Sequence, residues 1–231
     1  MRIAEELAGR QFNNVIPVLD SGQDTESGGY FVVMARAERS LQSLLDNGRV
    51  FSEDETVQIL LEVLHGLEEI GDFVHRDLKP GNVLLHEGVW KVADLGIARF
   101  VEESTSRHTL KDCLSPLYGA PEQWRLESAS PATDLYALGR MGFALLTGRP
   151  PFAGANREEV RNAHLHVTPP VLSGMSPELA SLLSMLLRKP PEARPSRTRV
   201  RSLLEQARVA SAAPAVGGLA QLAHAGAAWE R

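Results

Sequence analysis

The sequence predicts an α+β fold in which a few short strands accompany a mainly helical region. Three observations lead to this prediction. β-Branched and aromatic runs separated by turn residues occur within the first 34 residues. From residue 52 onward, apolar residues recur at helical spacing in several segments. The hydrophobic fraction of 43% is large enough for a folded core, which argues against a disordered chain.

The N-terminal part is predicted to contain a short helix and a hairpin. Residues 2–10 favour a helix. Val15–Leu19 and Tyr30–Met34 are predicted to be the two strands of the hairpin, because glycine-containing turns separate them. From residue 38 the pattern becomes helical.

Ser52 is predicted to begin a long amphipathic helix. Ser52-Glu53-Asp54-Glu55 has the S-x-x-E form of a capping box. The apolar residues that follow it at helical spacing are Val57, Leu60, Leu61, Leu64 and Leu67. We expect this helix to lead the chain to His75.

Short strands and a buried helix are predicted further along the chain. Val83–Leu85 and Val89–Val92 favour strands around a turn. Residues 97–119 lack periodicity and are rich in Ser and Thr, so they are predicted to form a long loop that is either functional or disordered. Asp134–Leu146 is apolar on nearly all faces, which predicts a buried helix that ends at Gly148.

The C-terminal region is predicted to hold two more helices and a tail. Ser176-Pro177-Glu178 combines a cap with a proline at the first helical position, so a helix is expected through about Leu187. A second helix is expected from about Arg199 to Ala207. The Ala/Gly-rich stretch after about Arg208 is expected to be a disordered tail.

Composition limits the classes of function. The net charge of −5, without a basic run, argues against a nucleic-acid partner. The single cysteine, Cys113, excludes an internal disulfide and suits a reducing cytosol, so we expect a cytoplasmic protein. No apolar run approaches the roughly 20 residues needed to span a bilayer. Glu5 and Glu6, close to the N-terminus, argue against a signal peptide. The sequence does not indicate the oligomeric state.

Three motifs in one order carry the functional prediction. They are the string His75-Arg76-Asp77-Leu78-Lys79-Pro80-Gly81-Asn82, then Asp94-Leu95-Gly96, then Ala120-Pro121-Glu122. The first places a carboxylate and an amide on one loop, and the second adds another carboxylate after a predicted strand. By these motifs the chain resembles the Ser/Thr protein kinases, in a style similar to bacterial members of the family.

The resemblance implies a protein-kinase-like fold over roughly residues 10–208. In this interpretation residues 1–36 are a partial N-lobe, with two strands and a remnant of the regulatory helix. Residues 37–208 are the mainly helical C-lobe, and residues 209–231 are the tail.

The resemblance also implies the roles of the loop residues. Asp77 would be the base that orients the substrate hydroxyl, and Lys79 would sit near the transferred phosphate. Asn82 and Asp94 would bind Mg²⁺, which prefers hard oxygen ligands. His75 would support the loop and Asp94.

The nucleotide site implied by the resemblance continues on the segment after the second predicted strand. Met34 would line the adenine pocket, and the backbone of Ala35 and Ala37 would bond to adenine. An alternative is that Met34 is simply a core residue.

The remaining family positions are structural or regulatory. Glu122 would pair with Arg194 as a brace, and Ser115 would lie in the peptide-binding end of the activation segment. Asp134 would hydrogen-bond the backbone of the catalytic loop; its alternative role is that of an ordinary helix N-cap, and the two roles are compatible. Four further residues would be either phosphorylation sites or merely solvated polar residues: Ser104, Thr105, Ser106 and Thr109.

The predicted activity is Mg-ATP-dependent phosphoryl transfer to Ser or Thr hydroxyls of a protein substrate. The chain contains no G-x-G-x-x-G loop and no Val-Ala-x-Lys strand, and neither Glu5 nor Glu6 has the spacing of the glutamate that pairs with that lysine. We therefore expect the chain by itself to bind ATP weakly and to turn over slowly. The alternative is a catalytically impaired kinase-like binding or scaffold module. A small-molecule phosphotransferase is disfavoured by Lys79 and the Ala-Pro-Glu segment.

Overall fold

The computed structural model describes residues 10–25, 28–95 and 119–212. Within them lie two small antiparallel sheets. The first consists of β1 (Val18–Gln23) and β2 (Tyr30–Met34), and the second of β3 (Arg39–Ser40), β4 (Val83–His86) and β5 (Val89–Val92) in that order.

Helices make up most of the remaining described chain. They are α1 (Leu41–Asp46), α2 (Glu53–Glu69), α3 (Pro121–Trp124), α4 (Pro131–Thr147), α5 (Arg157–His166), α6 (Pro177–Leu186) and α7 (Arg197–Ala212). The predicted α+β class with a mainly helical second part is confirmed. Among these helices, none is both long enough and apolar enough to cross a bilayer.

Helix α2 begins as the sequence predicts. The Ser52 hydroxyl accepts from the Glu55 N–H at 3.2 Å, and the Glu55 carboxylate accepts from the Ser52 N–H at 2.9 Å, which completes the capping box. Its predicted apolar positions are all buried: Val57, Leu60, Leu61, Leu64 and Leu67. This face packs against α4, α7 and β5, and it forms the centre of the main core.

Helix α4 is buried along almost its whole length, as predicted, and Gly148 ends it with a left-handed φ of 71°. The helix begins three residues earlier than predicted. Ser130 occupies the N-cap position and Pro131 follows it as the first helical residue. Asp134 therefore lies inside the first turns, and the alternative that it is the N-cap is wrong.

The hairpin is present, but its first strand begins at Val18 instead of Val15. Asn14 and Ile16 bond to Val92 of β5 instead, through Val92 N to Asn14 O at 2.8 Å and Ile16 N to Val92 O at 2.9 Å. Val15 and Ile16 are buried there. Burial of these apolar side chains against the main core outweighs pairing within the hairpin.

The hairpin presents apolar side chains to solvent. The exposed ones are Leu19, Phe31, Val33 and Met34, with Leu19 the most exposed at 65%. The alternative that Met34 is a core residue is therefore wrong.

Several boundaries differ from the predictions because tertiary contacts decide them. A two-residue strand, β3, precedes α1 where the helical pattern was expected to begin. Helix α7 begins at Arg197 and runs to Ala212, into the region expected to be a tail. Ser176 is the N-cap residue of α6, but its hydroxyl donates to the Glu53 carboxylate and accepts no hydrogen bond from the N–H groups of the helix. The predicted helix over 2–10, most of the loop over 97–119 and the tail beyond 212 lie outside the described residues.

Candidate active site

Asp134 holds the start of the predicted catalytic loop, residues 75–82. The His75 N–H donates to Asp134 Oδ2 at 2.9 Å, and the Arg76 N–H donates to Oδ1 at 2.9 Å. Both oxygens of one buried carboxylate thus bind successive backbone N–H groups, as predicted. Burial raises the pKa of Asp134, while these N–H groups and the nearby charge of Arg197 act in the opposite direction.

Two of the predicted site residues, Lys79 and Asn82, converge on a third, Asp77. Lys79 Nζ donates to Asp77 Oδ2 at 2.7 Å. Asn82 Nδ2 donates to the Asp77 carbonyl at 2.9 Å and lies 3.4 Å from its Oδ2. The Asp77 side chain keeps 22% of its surface exposed.

Asp94 follows Ala93, whose backbone N–H and carbonyl both bond to residues of this loop. The Ala93 N–H donates to the Asn82 carbonyl at 2.8 Å. The Ala93 carbonyl lies 3.0 Å from His75 Nε2, so buried His75 supports the approach to Asp94 as expected. Asp94 is exposed and has a left-handed φ of 56°, which Asp tolerates better than most residues.

The donor set fits Mg²⁺ held together with a nucleotide. The amide nitrogen of Asn82 is committed to Asp77, which leaves its oxygen as a hard ligand, and Asp94 adds an exposed carboxylate. Within residues 10–25, 28–95 and 119–212, no three His, Cys, Asp or Glu side chains gather into a closed metal cluster. Mg²⁺ is commonly bound through one or two carboxylates plus phosphates and water, so the arrangement suits it.

The predicted adenine-binding segment leaves β2 and joins the second sheet. Met34 is exposed. The Ala35 N–H donates to the Pro17 carbonyl at 2.9 Å, and this bond does not involve the carbonyl of Ala35. Beyond Ala37, the Glu38 N–H donates to the Leu85 carbonyl of β4 at 2.9 Å. Because β4 directly follows the catalytic loop, this bond connects the two halves of the predicted nucleotide site.

A buried ion pair between Glu122 and Arg194 holds helix α3 in place. Arg194 Nη1 and Nη2 lie 2.7 and 2.8 Å from the two carboxylate oxygens of Glu122, with side-chain exposures of 0% and 1%. Thr133 donates a further bond of 2.8 Å to Glu122. Burial raises the pKa of Glu122, but Arg194 and Thr133 outweigh it, and the net pKa is lowered. The predicted brace is confirmed.

Two residues near the loop were not singled out from the sequence. Gln123 Nε2 donates to the Arg76 carbonyl at 2.8 Å, and Arg197 lies 3.8 Å from Asp134. Gln123 has one local signal, its position directly after Ala-Pro-Glu, and Arg197 has none. The other predicted loop positions lie outside the described residues: Gly96, Ser104, Thr105, Ser106, Thr109 and Ser115.

Comparison with known families decides the ancestry of this site. The family model described as the protein kinase domain matches residues 2–207. The chain belongs to the protein kinase family. The match begins upstream of residue 10, where the resemblance was expected to start.

The chain is similar to several bacterial serine/threonine-protein kinases. The serine/threonine-protein kinase PknA of Corynebacterium glutamicum is 33% identical over 187 residues, which cover 77% of this chain and 40% of the relative. A probable serine/threonine-protein kinase PknB of the same organism is 33% identical over 73% of this chain and 27% of the relative. Serine/threonine-protein kinase PrkC of Bacillus subtilis is 30% identical over 81% and 29%. The chain thus spans well under half the length of these relatives.

Proposed function

We propose that the chain carries the phosphoryl-transfer centre of a Ser/Thr protein kinase, which moves the γ-phosphoryl group of Mg-ATP to a Ser or Thr hydroxyl of a protein substrate. One observation carries the proposal: Lys79 and Asn82 converge on Asp77, whose carboxylate stays partly exposed. Phosphoryl transfer depends on positioning and charge neutralisation, and this cluster offers both.

Each side chain has a distinct task in the proposal. Asp77 accepts a hydrogen bond from the substrate hydroxyl and orients its oxygen towards the phosphorus. Lys79 keeps a positive charge within 2.7 Å of that carboxylate, next to where the transferred group passes. Asn82 and Asp94 would hold Mg²⁺, which neutralises charge on the phosphate oxygens when bound.

Adenine binding is proposed for the segment after β2. Met34 would cover one side of the base, while the Ala35 carbonyl and the Ala37 backbone would form hydrogen bonds with its edge. The bond from the Ala35 N–H to Pro17 supports this division, because it engages the donor of Ala35 and does not use the Ala35 carbonyl.

The proposal also divides the chain into lobes. Residues 1–36 would be part of an N-lobe, residues 37–208 the C-lobe and residues 209–231 a tail. The exposed apolar side chains of the hairpin support the first assignment, because a two-stranded sheet by itself leaves its apolar face uncovered. The single cysteine supports a cytoplasmic location, where ATP and protein substrates are available.

The test uses the purified chain, Mg-ATP and a generic protein substrate rich in Ser and Thr. We expect slow, Mg²⁺-dependent labelling of Ser or Thr that Asp77→Asn abolishes. Asp72→Asn, at an exposed acid close to the loop, should leave it intact. Labelling that persists in Asp77→Asn would refute the proposed centre.

Two other results are informative. Turnover of about 1–100 s⁻¹, typical of complete kinases, would contradict the expected weakness of the chain alone. Folded protein with no labelling under any condition would favour the binding-module alternative.

A further inference from the structure

Arg197 joins the catalytic loop to the first turn of α7. Its Nη1 donates to the Gly71 carbonyl at 2.7 Å, and its Nη2 lies 3.5 Å from the Phe73 carbonyl. Nη2 also lies 3.8 Å from Asp134 Oδ2. One guanidinium therefore contacts both the segment that leads into His75 and the carboxylate that holds the loop.

The contact with Asp134 matters because that carboxylate is almost completely buried, at 1% exposure. Burial disfavours its ionised form, which binds the two loop N–H groups most strongly. Arginine stays protonated at all ordinary pH values, so Arg197 supplies a permanent positive charge at this position. The backbone N–H of His75 also binds this carboxylate, at 2.9 Å.

The same guanidinium fixes the backbone ahead of the loop. Gly71 has a left-handed φ of 66°, and the stretch from Gly71 to the loop has no helix or strand of its own. A planar guanidinium can donate to a carbonyl on one side while it faces a carboxylate on the other. Lysine has one nitrogen and cannot hold both partners in the same way.

We propose that Arg197 is a positioning residue of the catalytic loop, acting through Asp134 and through the carbonyls before His75. It keeps the His75 and Arg76 backbone in place and thereby sets the position of Asp77. Its consequence for phosphoryl transfer rests on the proposed function, whereas its consequence for the order of the loop does not.

A purely structural role would be to fasten α7 to the main body. Helix α7 already buries Val200, Leu204 and Ala207 in the main core. In contrast, the hydrogen bonds and the ion pair that the Arg197 side chain forms within the described residues are with Asp134 and the segment before the loop. Arg199 lies two positions further along the same helix and is exposed, so it provides a matched control.

The first measurement is hydrogen–deuterium exchange, followed by mass spectrometry, in the full chain. Arg197→Ala should accelerate exchange in peptides that span residues 72–80 by about tenfold, while peptides from α2 and α7 stay unchanged. Arg197→Lys should give a smaller acceleration. Arg199→Ala should match the wild type within about twofold. Equal exchange in wild type and Arg197→Ala, or equal acceleration throughout α2 and α7, would overturn the proposal.

The second measurement separates positioning from nucleotide binding. In the transfer assay, Arg197→Ala should lower kcat by about tenfold and leave KM for ATP unchanged, with partial rescue by Arg197→Lys. A change confined to KM would overturn the proposal. If Arg197→Ala does not fold, the exchange pattern of Arg197→Lys decides. If the wild type transfers no phosphate, the proposed function fails, and the exchange result still decides the role of Arg197.

Discussion

The side-chain amide of Gln123 donates a 2.8 Å hydrogen bond to the backbone carbonyl of Arg76. Its amide oxygen accepts from the Ala120 N–H at 3.0 Å, so one buried side chain connects Ala-Pro-Glu to the catalytic loop. Arg76 has a left-handed φ of 68°, which is uncommon for a residue other than glycine. The amide therefore fastens a strained residue directly before Asp77.

Gln123→Glu tests this connection, because it keeps the shape and the acceptor but removes the donor. The Arg76 carbonyl would lose its partner and face a carboxylate, so the free energy of unfolding should fall by about 1–3 kcal/mol. Urea unfolding measures the change. Gln206→Glu, at an exposed position of α7, is the control and should change it little. Equal effects of the two substitutions would show that the Gln123 bond contributes nothing.

Arg194→Ala should be among the most destabilising substitutions of the described chain. It leaves the Glu122 carboxylate buried without its cation, which costs about 3–5 kcal/mol. Arg49 and Glu55 form an exposed pair at the same 2.7 Å distance, with side-chain exposures of 46% and 45%. Arg49→Ala should therefore cost less than about 1 kcal/mol in the same urea experiment. Similar losses for both arginines would contradict this account.

Stability should fall in acid partly because of Glu122. Its pKa in the folded state is lowered from 4.5, since Arg194 and Thr133 outweigh the effect of burial. The stabilisation by ionised Glu122 is therefore present above pH 4.5 and is lost as the pH falls through the folded-state pKa. Glu122→Gln should be less stable at neutral pH.

The same variant should lose less stability than the wild type between about pH 5 and pH 3. Unfolding free energies measured by urea across this range test the difference. Glu178→Gln, at an exposed position on α6, should keep the wild-type dependence on pH. Parallel curves for Glu122→Gln and wild type would refute the assignment.

Asp94→Asn should weaken Mg²⁺-dependent nucleotide binding. Replacing an exposed carboxylate by an amide removes a charged ligand, so affinity for a non-hydrolysable ATP analogue in Mg²⁺ should fall about tenfold or more. Affinity without Mg²⁺ should be nearly unchanged. Calorimetric titration measures both, and Asp54→Asn on the exposed side of α2 is the control. A loss of equal size with and without Mg²⁺ would argue against metal binding by Asp94.

Gly66→Ala should destabilise the protein although alanine favours helices. By propensity alone, alanine would stabilise α2 by about 1 kcal/mol. A Cβ at Gly66, however, would overlap the Asn14 carbonyl oxygen and approach Val92 Cγ2 to 2.9 Å. We expect a net cost of about 1–3 kcal/mol in thermal or urea unfolding. Gln58→Ala, at an exposed position of the same helix, should be neutral, and a stabilising Gly66→Ala would contradict the close packing.

The elements that the sequence predicted well depend on neighbouring residues. The capping box at Ser52, the apolar face of α2 and the stop at Gly148 are all encoded within a few positions. The loop residues around Asp77 and the pair of Glu122 with Arg194 were predicted from family resemblance, and the structure shows their contacts.

By itself, the sequence determined the family, the α+β class and the positions of the main core helices, because motifs and apolar periodicity are local patterns. Only the tertiary structure decided which distant groups meet. In the structure, Ile16 bonds to Val92 and does not pair within the hairpin. The Ser176 hydroxyl donates to Glu53, which lies 123 positions away along the chain. Arg197 also lies against Asp134. Polar groups that become buried must find partners in space, and no local pattern specifies which ones lie within reach.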